Sequence, residues 1–223
     1  MIPARMGSKR LPKKNLEEIG GRTLIHWAVE RCIDSGAFDE IWVNSEDLAF
    51  REVATNLSVN FHLRPFELGS DKATSEQFVS EFLERHECDF VIQVHSVTPL
   101  LDSGEIREFV KQVRADDADT ILSGVEGDLE HVLETNPVNF SFDAKSNSQD
   151  LTPVFQITWP ITAWRRETFL NNEEPERCST YCGRIKYFPV SRFSGLAIKV
   201  EQDLKYAQAL FPHVFPEKLE LRT

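Results

Sequence analysis

Five basic side chains, Arg5, Lys9, Arg10, Lys13 and Lys14, stand within the first fifteen residues, and no acidic residue lies among them. Gly7 and Ser8 sit inside this cluster and let backbone amides come close to a ligand. Cations around such a turn suit a polyphosphate, whose oxygens accept charge-assisted hydrogen bonds. The rest of the chain is acidic: 25 Lys and Arg against 36 Asp and Glu give a net charge of −11. The cluster therefore reverses its surroundings. A solvated basic loop is the plain alternative for so small a group of charges, but a glycine turn at a strand end favours phosphate. Two familiar nucleotide loops are absent. Gly7-Ser8-Lys9 lacks the upstream glycine and following Ser or Thr of a P-loop, and no G-x-G-x-x-G occurs. No G-x-S-x-G elbow supports a hydrolase. Cys178 and Cys182, with His213 well downstream, fall short of the four ligands of a structural zinc.

Alternating strands and helices would position these residues. Thr23 suits a helix cap before Ile25, Ala28, Val29 and Cys32, with Gly36 as the stop. Ile41-Trp42-Val43 reads as a short buried strand and Glu46 to Asn56 as a helix. Thr74 with Gln77, and Asp102 with Glu105, form capping-box pairs ahead of apolar runs at helical spacing. Asp89 to Val94 and Thr120 to Val125 read as buried strands. This rhythm predicts βαβ units and a mostly parallel sheet. After Val125 the chain turns polar up to Asp150, as in a surface arm. Pro153 to Trp164 is β-rich, with Pro160 implying an edge or bulge. Arg184 to Val190 and Leu196 to Val200 read as short strands, and Glu201 to Phe211 as a closing helix.

Composition narrows the partners. Net charge −11 disfavours duplex nucleic acid and anionic membrane surfaces, both of which reward positive charge. No apolar run reaches the roughly 18 residues of a membrane span, and no signal-peptide pattern opens the chain. Four cysteines in 223 residues fit a reducing cytoplasm better than a disulfide scaffold. A soluble, cytoplasmic protein of one domain, residues 1–223, is expected, with 126–165 set off from the alternating units as an insertion.

Ile2-Pro3-Ala4-Arg5, Gly7-Ser8-Lys9, Leu11-Pro12 and Lys14-Asn15 resemble the opening signature of the cytidylyltransferases that make CMP-sialic acid and CMP-Kdo. A second block, Leu63-Arg64-Pro65 through Leu68 and Asp71 to Ser75, is similar to the family's next motif. Gln93 to Leu101, with its Thr98-Pro99-Leu100 ending, resembles the segment that closes over base and sugar. Gln149 to Trp164 resembles the later substrate-side segment, although Thr158-Trp159 stands where the family has Asn-Gly. Leu196 to Leu210 resembles the closing unit.

The resemblance implies a three-layer, Rossmann-like α/β fold of the nucleotide-diphospho-sugar transferase type, with a small dimerisation arm. It implies transfer of CMP from CTP to the anomeric hydroxyl of a 2-keto-3-deoxy sugar acid, in a homodimer. Arg5, Lys9 and Lys14 would be catalytic, and Ala4, Arg5, Gly7, Ser8, Lys9, Asn15, Arg64 and Ser75 would bind nucleotide. Ser75 also falls at a helix start, where free amides favour an anion, although capping alone explains Thr74 and Ser75 equally. Gln93, His95 and Gln156 would meet the sugar acid; His95 is equally well read as a structural residue.

Two departures stand out. Sialic-acid synthetases hold a divalent ion through Asp-Ile-Asp before the last helix, and here the register gives Ala197-Ile198-Lys199. Kdo-type enzymes place an Asp where Val97 falls. Alanine and valine cannot ligate Mg2+, so magnesium is expected from the family without an identified ligand set. Either other oxygens and the triphosphate carry the metal, with Lys199 adding positive charge, or catalysis is lost. A non-catalytic nucleotide-binding relative and a transferase for another acceptor, such as a phosphonate, are the alternatives. Secondly, only Met1 and Ile2 precede Pro3, so most of the family's first strand is expected to lie upstream, as a misassigned start would leave it.

Overall fold

Short polar signals fix where the helices begin. Thr23 Oγ1 accepts from His26 N, and Gly36 closes that helix at φ 60°. Thr74 with Gln77 and Asp102 with Glu105 both make the reciprocal capping box. The computed structural model describes residues 1–172 and 177–220. In chain order the elements are β1 (Ile2–Pro3), β2 (Glu18–Ile19), β3 (Arg22–Thr23), α1 (Leu24–Ser35), β4 (Trp42–Ser45), α2 (Ala49–Asn56) and β5 (Asn60–Leu63). Next come α3 (Ser75–Arg85), β6 (Phe90–Val94), α4 (Ser103–Ala115), β7 (Thr120–Gly127), β8 (Val132–Leu133) and β9 (Asn136–Pro137). The last are β10 (Val154–Arg165), α5 (Arg166–Leu170), β11 (Ile185–Pro189), α6 (Glu201–Val214) and α7 (Glu217–Glu220).

Two ladders, β5-β4-β1 and β6-β10-β7-β11, meet at Met1. Its nitrogen donates to the Ile92 carbonyl at 2.8 Å, and its own carbonyl accepts from Val94 N at 3.0 Å. The combined sheet is parallel except for β10, which runs antiparallel between β6 and β7. Successive strand residues face opposite ways, and the core divides accordingly. Ile92 and Ala163 pack with Ile25, Val29, Phe109 and Val110 from α1 and α4. Their neighbours Val91 and Trp164 pack with Val79, Leu83 and Phe169 from α3 and α5. This is the expected three-layer α/β arrangement. α6 sets Leu204, Ala207 and Phe211 against Leu24 and Trp27. Each such large side chain contributes about 1.5–3 kcal/mol on burial.

Several segments differ from the sequence reading. Asn60–Leu63, not read as a strand, pairs in parallel with β4. Leu196 to Val200, read as a strand, joins no sheet; Ile198 N reaches the Val97 carbonyl at 2.8 Å, while Lys199 N and Val200 N turn to the Asp203 carboxylate. The last twelve residues of the expected 126–165 insertion form β10, an interior strand, which leaves the β8–β9 hairpin and its flanks outside the sheet. Pro160 has no N–H to give a ladder, and β10 slips register between Ile157 and Thr162. In that bulge Trp159 adopts φ 66°. A left-handed backbone at a bulky residue costs of order 1–3 kcal/mol and is retained only where its surroundings impose it. Among the described residues, no helix is long and apolar enough to cross a membrane.

Candidate active site

A cleft of about 570 Å3 opens beyond the carboxyl end of β6, the side on which open α/β sheets bind ligands. Gln93, His95 and Val97 form its floor, and Thr74, Ser75 and Glu76 at the start of α3 form one wall. Thr158 and Trp159 from the β10 bulge, with Thr180 and Tyr181, form the opposite wall. Arg10, Lys14 and Lys199 supply its cations. A second cavity, about 340 Å3, lies at the other end of the sheet beside Met1, Trp42 and Phe90; none of the expected site residues lines it.

The amino-terminal loop reaches the cleft through a sharp turn. Lys13 takes φ 51° and starts a short 3-10 turn over Lys14–Leu16, which carries the Lys14 side chain inward. Lys14 Nζ donates to the Ile198 carbonyl at 3.0 Å. Burial, followed by the nearby charges of Arg10 and Arg5, lowers its pKa below the ordinary lysine value of 10.5. Arg5 and Lys9 lie on the outer side of the loop, where both bind Asp71 at 3.1 Å. The Lys9 bond, aided by Arg5, holds the Asp71 carboxyl below its usual range.

Arg64 braces the loop from beneath. Its Nη2 donates to the Ala4 carbonyl and to Glu46 Oε2, each at 2.8 Å, while Nη1 reaches Asn44 Oδ1 at 2.9 Å. Glu46 Oε1 accepts from Met6 N at 2.9 Å. The guanidinium and carboxylate are both buried, and the Arg64 guanidinium lies 4.9 Å from the Phe78 ring centroid. Gly69 packs so closely here that a Cβ would come within 2.3 Å of the Glu46 side chain. Four of the expected residues, Lys14, Ser75, Gln93 and His95, thus line one cleft. Ala4, Gly7, Ser8 and Asn15 belong to the loop that Arg64 supports. Gln156 stands apart: its amide faces His131 Nε2 at 3.0 Å on the exposed arm side. Sequence reasoning marks Thr158 and Trp159 only as a departure within the substrate-side segment and does not single out Thr180, Tyr181 or Glu46, because their roles depend on contacts between distant segments.

Two polar groups in the cleft have no partner among the described residues: Gln93 Nε2, on a residue only 1% exposed, and Thr158 Oγ1. Orphaned donors of this kind are costly unless a ligand or water completes them. The His95 imidazole is enclosed beside Lys14, and burial followed by that charge pushes its pKa down to about 4 from 6.5. The unfolded chain therefore binds a proton below pH 6.5 that the folded chain refuses until about pH 4. Stability from this group is complete above pH 6.5 and declines by up to about 3 kcal/mol as pH falls through that interval. His95→Gln is expected to flatten that limb in urea unfolding at pH 7.5, 5.5 and 4.5. An unchanged pH dependence would place the proton elsewhere.

The family's metal positions carry no ligands. Among the described residues, no group of three or more His, Cys, Asp or Glu is placed to hold an ion. Asp203 Oδ2 accepts from Lys199 N at 2.8 Å and Val200 N at 2.9 Å, which commits it to capping α6. Among the described residues that line the cleft, Glu76 is the one carboxylate. The described residues do not fit a protein-held divalent cation.

A parallel sheet with one reversed strand, and a cationic cleft at its carboxyl edge, define a nucleotidyltransferase fold of the nucleotide-diphospho-sugar type. The structure of a CMP-2-keto-3-deoxy-manno-octonic acid synthetase superposes with a TM-score of 0.69 at 19% identity, over 95% of this chain and 97% of that one. The model of the cytidylyltransferase family matches residues 1–212, and the chain belongs to that family. An N-acylneuraminate cytidylyltransferase of Streptococcus agalactiae is 29% identical over 191 residues, 81% of this chain and 46% of the relative. The chain thus spans about half the length of that relative. A pseudaminic acid cytidylyltransferase of Campylobacter jejuni is 27% identical over 95% of this chain and 94% of its own length.

Proposed function

We propose that this protein transfers CMP from CTP to the anomeric hydroxyl of a 2-keto-3-deoxy sugar acid. One observation carries the reading: in a chain of this family, the loop cation Lys14, the α3 start at Ser75 and the Gln93–His95 floor face a single cleft. The acceptor hydroxyl oxygen attacks the α-phosphorus and forms the new P–O bond. The bond from that phosphorus to the bridging oxygen breaks, and pyrophosphate leaves with the electron pair. The hydroxyl proton passes to solvent. No covalent enzyme intermediate is needed, so catalysis rests on positioning and charge stabilisation. Magnesium enters as part of the MgCTP substrate.

Lys14 binds the phosphates in this reading, and Ser75 presents helix amides to them. Arg5 and Lys9 turn from Asp71 to the triphosphate, since exposed ion pairs of this kind are weak. Arg64 and Asn15 hold the loop that Ala4, Gly7 and Ser8 build around the nucleotide. Gln93 and His95 meet the base and sugar, and Gln156 acts from the arm. Family resemblance and the exposed apolar side chains Leu129, Val132, Leu133 and Phe142 support a homodimer formed through that arm, which sedimentation velocity tests directly.

Pyrophosphate release tests the main reading, with CTP against ATP, GTP and UTP and a panel of sialic, pseudaminic and Kdo-type acids. CTP-dependent release with one acceptor is expected. CTP binding without release for any acceptor supports the non-catalytic reading, which the missing carboxylates favour.

A further inference from the structure

We propose that Lys199 is a catalytic residue of this chain, whose ammonium binds the triphosphate in place of a carboxylate-held metal ion. The inference rests on the nucleotidyl-transfer reading and goes beyond it by naming what balances the phosphate charge. Three observations combine. Lys199 lines the cleft together with Lys14 and Arg10, and Glu76 is the one carboxylate among the described lining residues. Its backbone is fixed on both sides, by Ile198 N on the Val97 carbonyl and by the Asp203 carboxylate on Lys199 N and Val200 N. Lys14 Nζ is bonded to the carbonyl of the adjacent Ile198, so two ammonium-bearing residues are held side by side at one rim.

This pairing makes little sense for a free surface and good sense for a polyanion. Like charges confined together repel, and the repulsion is relieved when phosphate oxygens enter between them. A divalent ion placed at the same rim would meet that repulsion, with Asp203 Oδ2 already accepting from two backbone donors. An ammonium cannot gather several oxygens as a metal does, but it delivers a fixed positive charge that needs no ligand set.

Calorimetric titration with CTP in EDTA provides the test, repeated with magnesium, on the wild type and on Lys199→Met and Lys199→Arg. The wild type is expected to bind CTP in EDTA. Lys199→Met is expected to weaken that binding roughly tenfold or more, in the range of a lost charge-assisted bond, and Lys199→Arg to restore part of it. In addition, Mn2+ titrated into the nucleotide-free protein and read by electron paramagnetic resonance is expected to stay free. A tight Mn2+ site on the nucleotide-free protein, or Lys199→Met binding CTP as the wild type does, overturns the assignment while leaving the transferase reading intact. A wild type that binds no CTP with or without magnesium overturns both. Lys199 is exposed and its fixed contacts are made by backbone atoms, so the variants retain the fold.

Discussion

Lys14→Met is expected to lower kcat/KM for CTP-dependent pyrophosphate release by about 10²–10³-fold, the usual loss when one preorganised stabilising group is removed from a transition state. Of the loop cations, Lys14 is the one bonded across the cleft, to the Ile198 carbonyl. Burial and the neighbouring charges of Arg10 and Arg5 lower its pKa, so the free site holds a proton less firmly than an exposed lysine does. Entering phosphates reverse that pressure and raise the pKa. CTP binding at alkaline pH is therefore coupled to proton uptake, and affinity falls as pH rises through the free-enzyme value. Lys14→Arg, always charged but larger, separates charge from shape. An unchanged rate in Lys14→Met would move the chemistry away from this rim.

Arg64→Met is expected to destabilise the protein by about 3–5 kcal/mol, because it strands Glu46 as a buried, uncompensated charge. That is a large share of the 5–15 kcal/mol that typically separates folded from unfolded chains. The guanidinium also holds the Ala4 carbonyl and Asn44, and Glu46 holds Met6 N. The same substitution is therefore expected to loosen the phosphate loop and weaken CTP binding. Urea unfolding of Arg64→Met, Glu46→Gln and the double variant measures the coupling, with the double variant less destabilised than the two losses added. Arg64→Lys cannot serve these separated acceptors with one ammonium. Strict additivity would show that the pair contributes nothing jointly.

Local chemistry made much of the fold readable. Thr23 and Gly36, Thr74 and Gln77, and Asp102 and Glu105 act within one turn of themselves, so four or five residues suffice to predict them. Asn60–Leu63 escaped notice because it carries only four residues, Asn60 and His62 among them, and its pairing partner β4 lies across α2. The floor of the cleft was legible for a related reason: Gln93 and His95 sit at the end of an apolar run. Its far wall was not. Thr158 and Trp159 reach the cleft only because β10 slips register around Pro160, and Thr180 and Tyr181 arrive from a segment with no periodic signature. Arg64 was noticed as a nucleotide contact by resemblance, whereas its observed bonds to Ala4, Asn44 and Glu46 depend on three-dimensional proximity alone.

The left-handed turn at Trp159 has an optical consequence. Of the four tryptophans in the chain, Trp27 and Trp164 are enclosed in the core, and Trp42 lies beside the cavity at the opposite end of the sheet. Only the indole of Trp159 lines the cleft, with its centroid 6.0 Å from that of Tyr181. A ligand settling between those rings changes the polarity around one emitter and leaves three as a constant background. The strained bulge thereby builds an intrinsic fluorescent reporter of occupancy into the wall of the site.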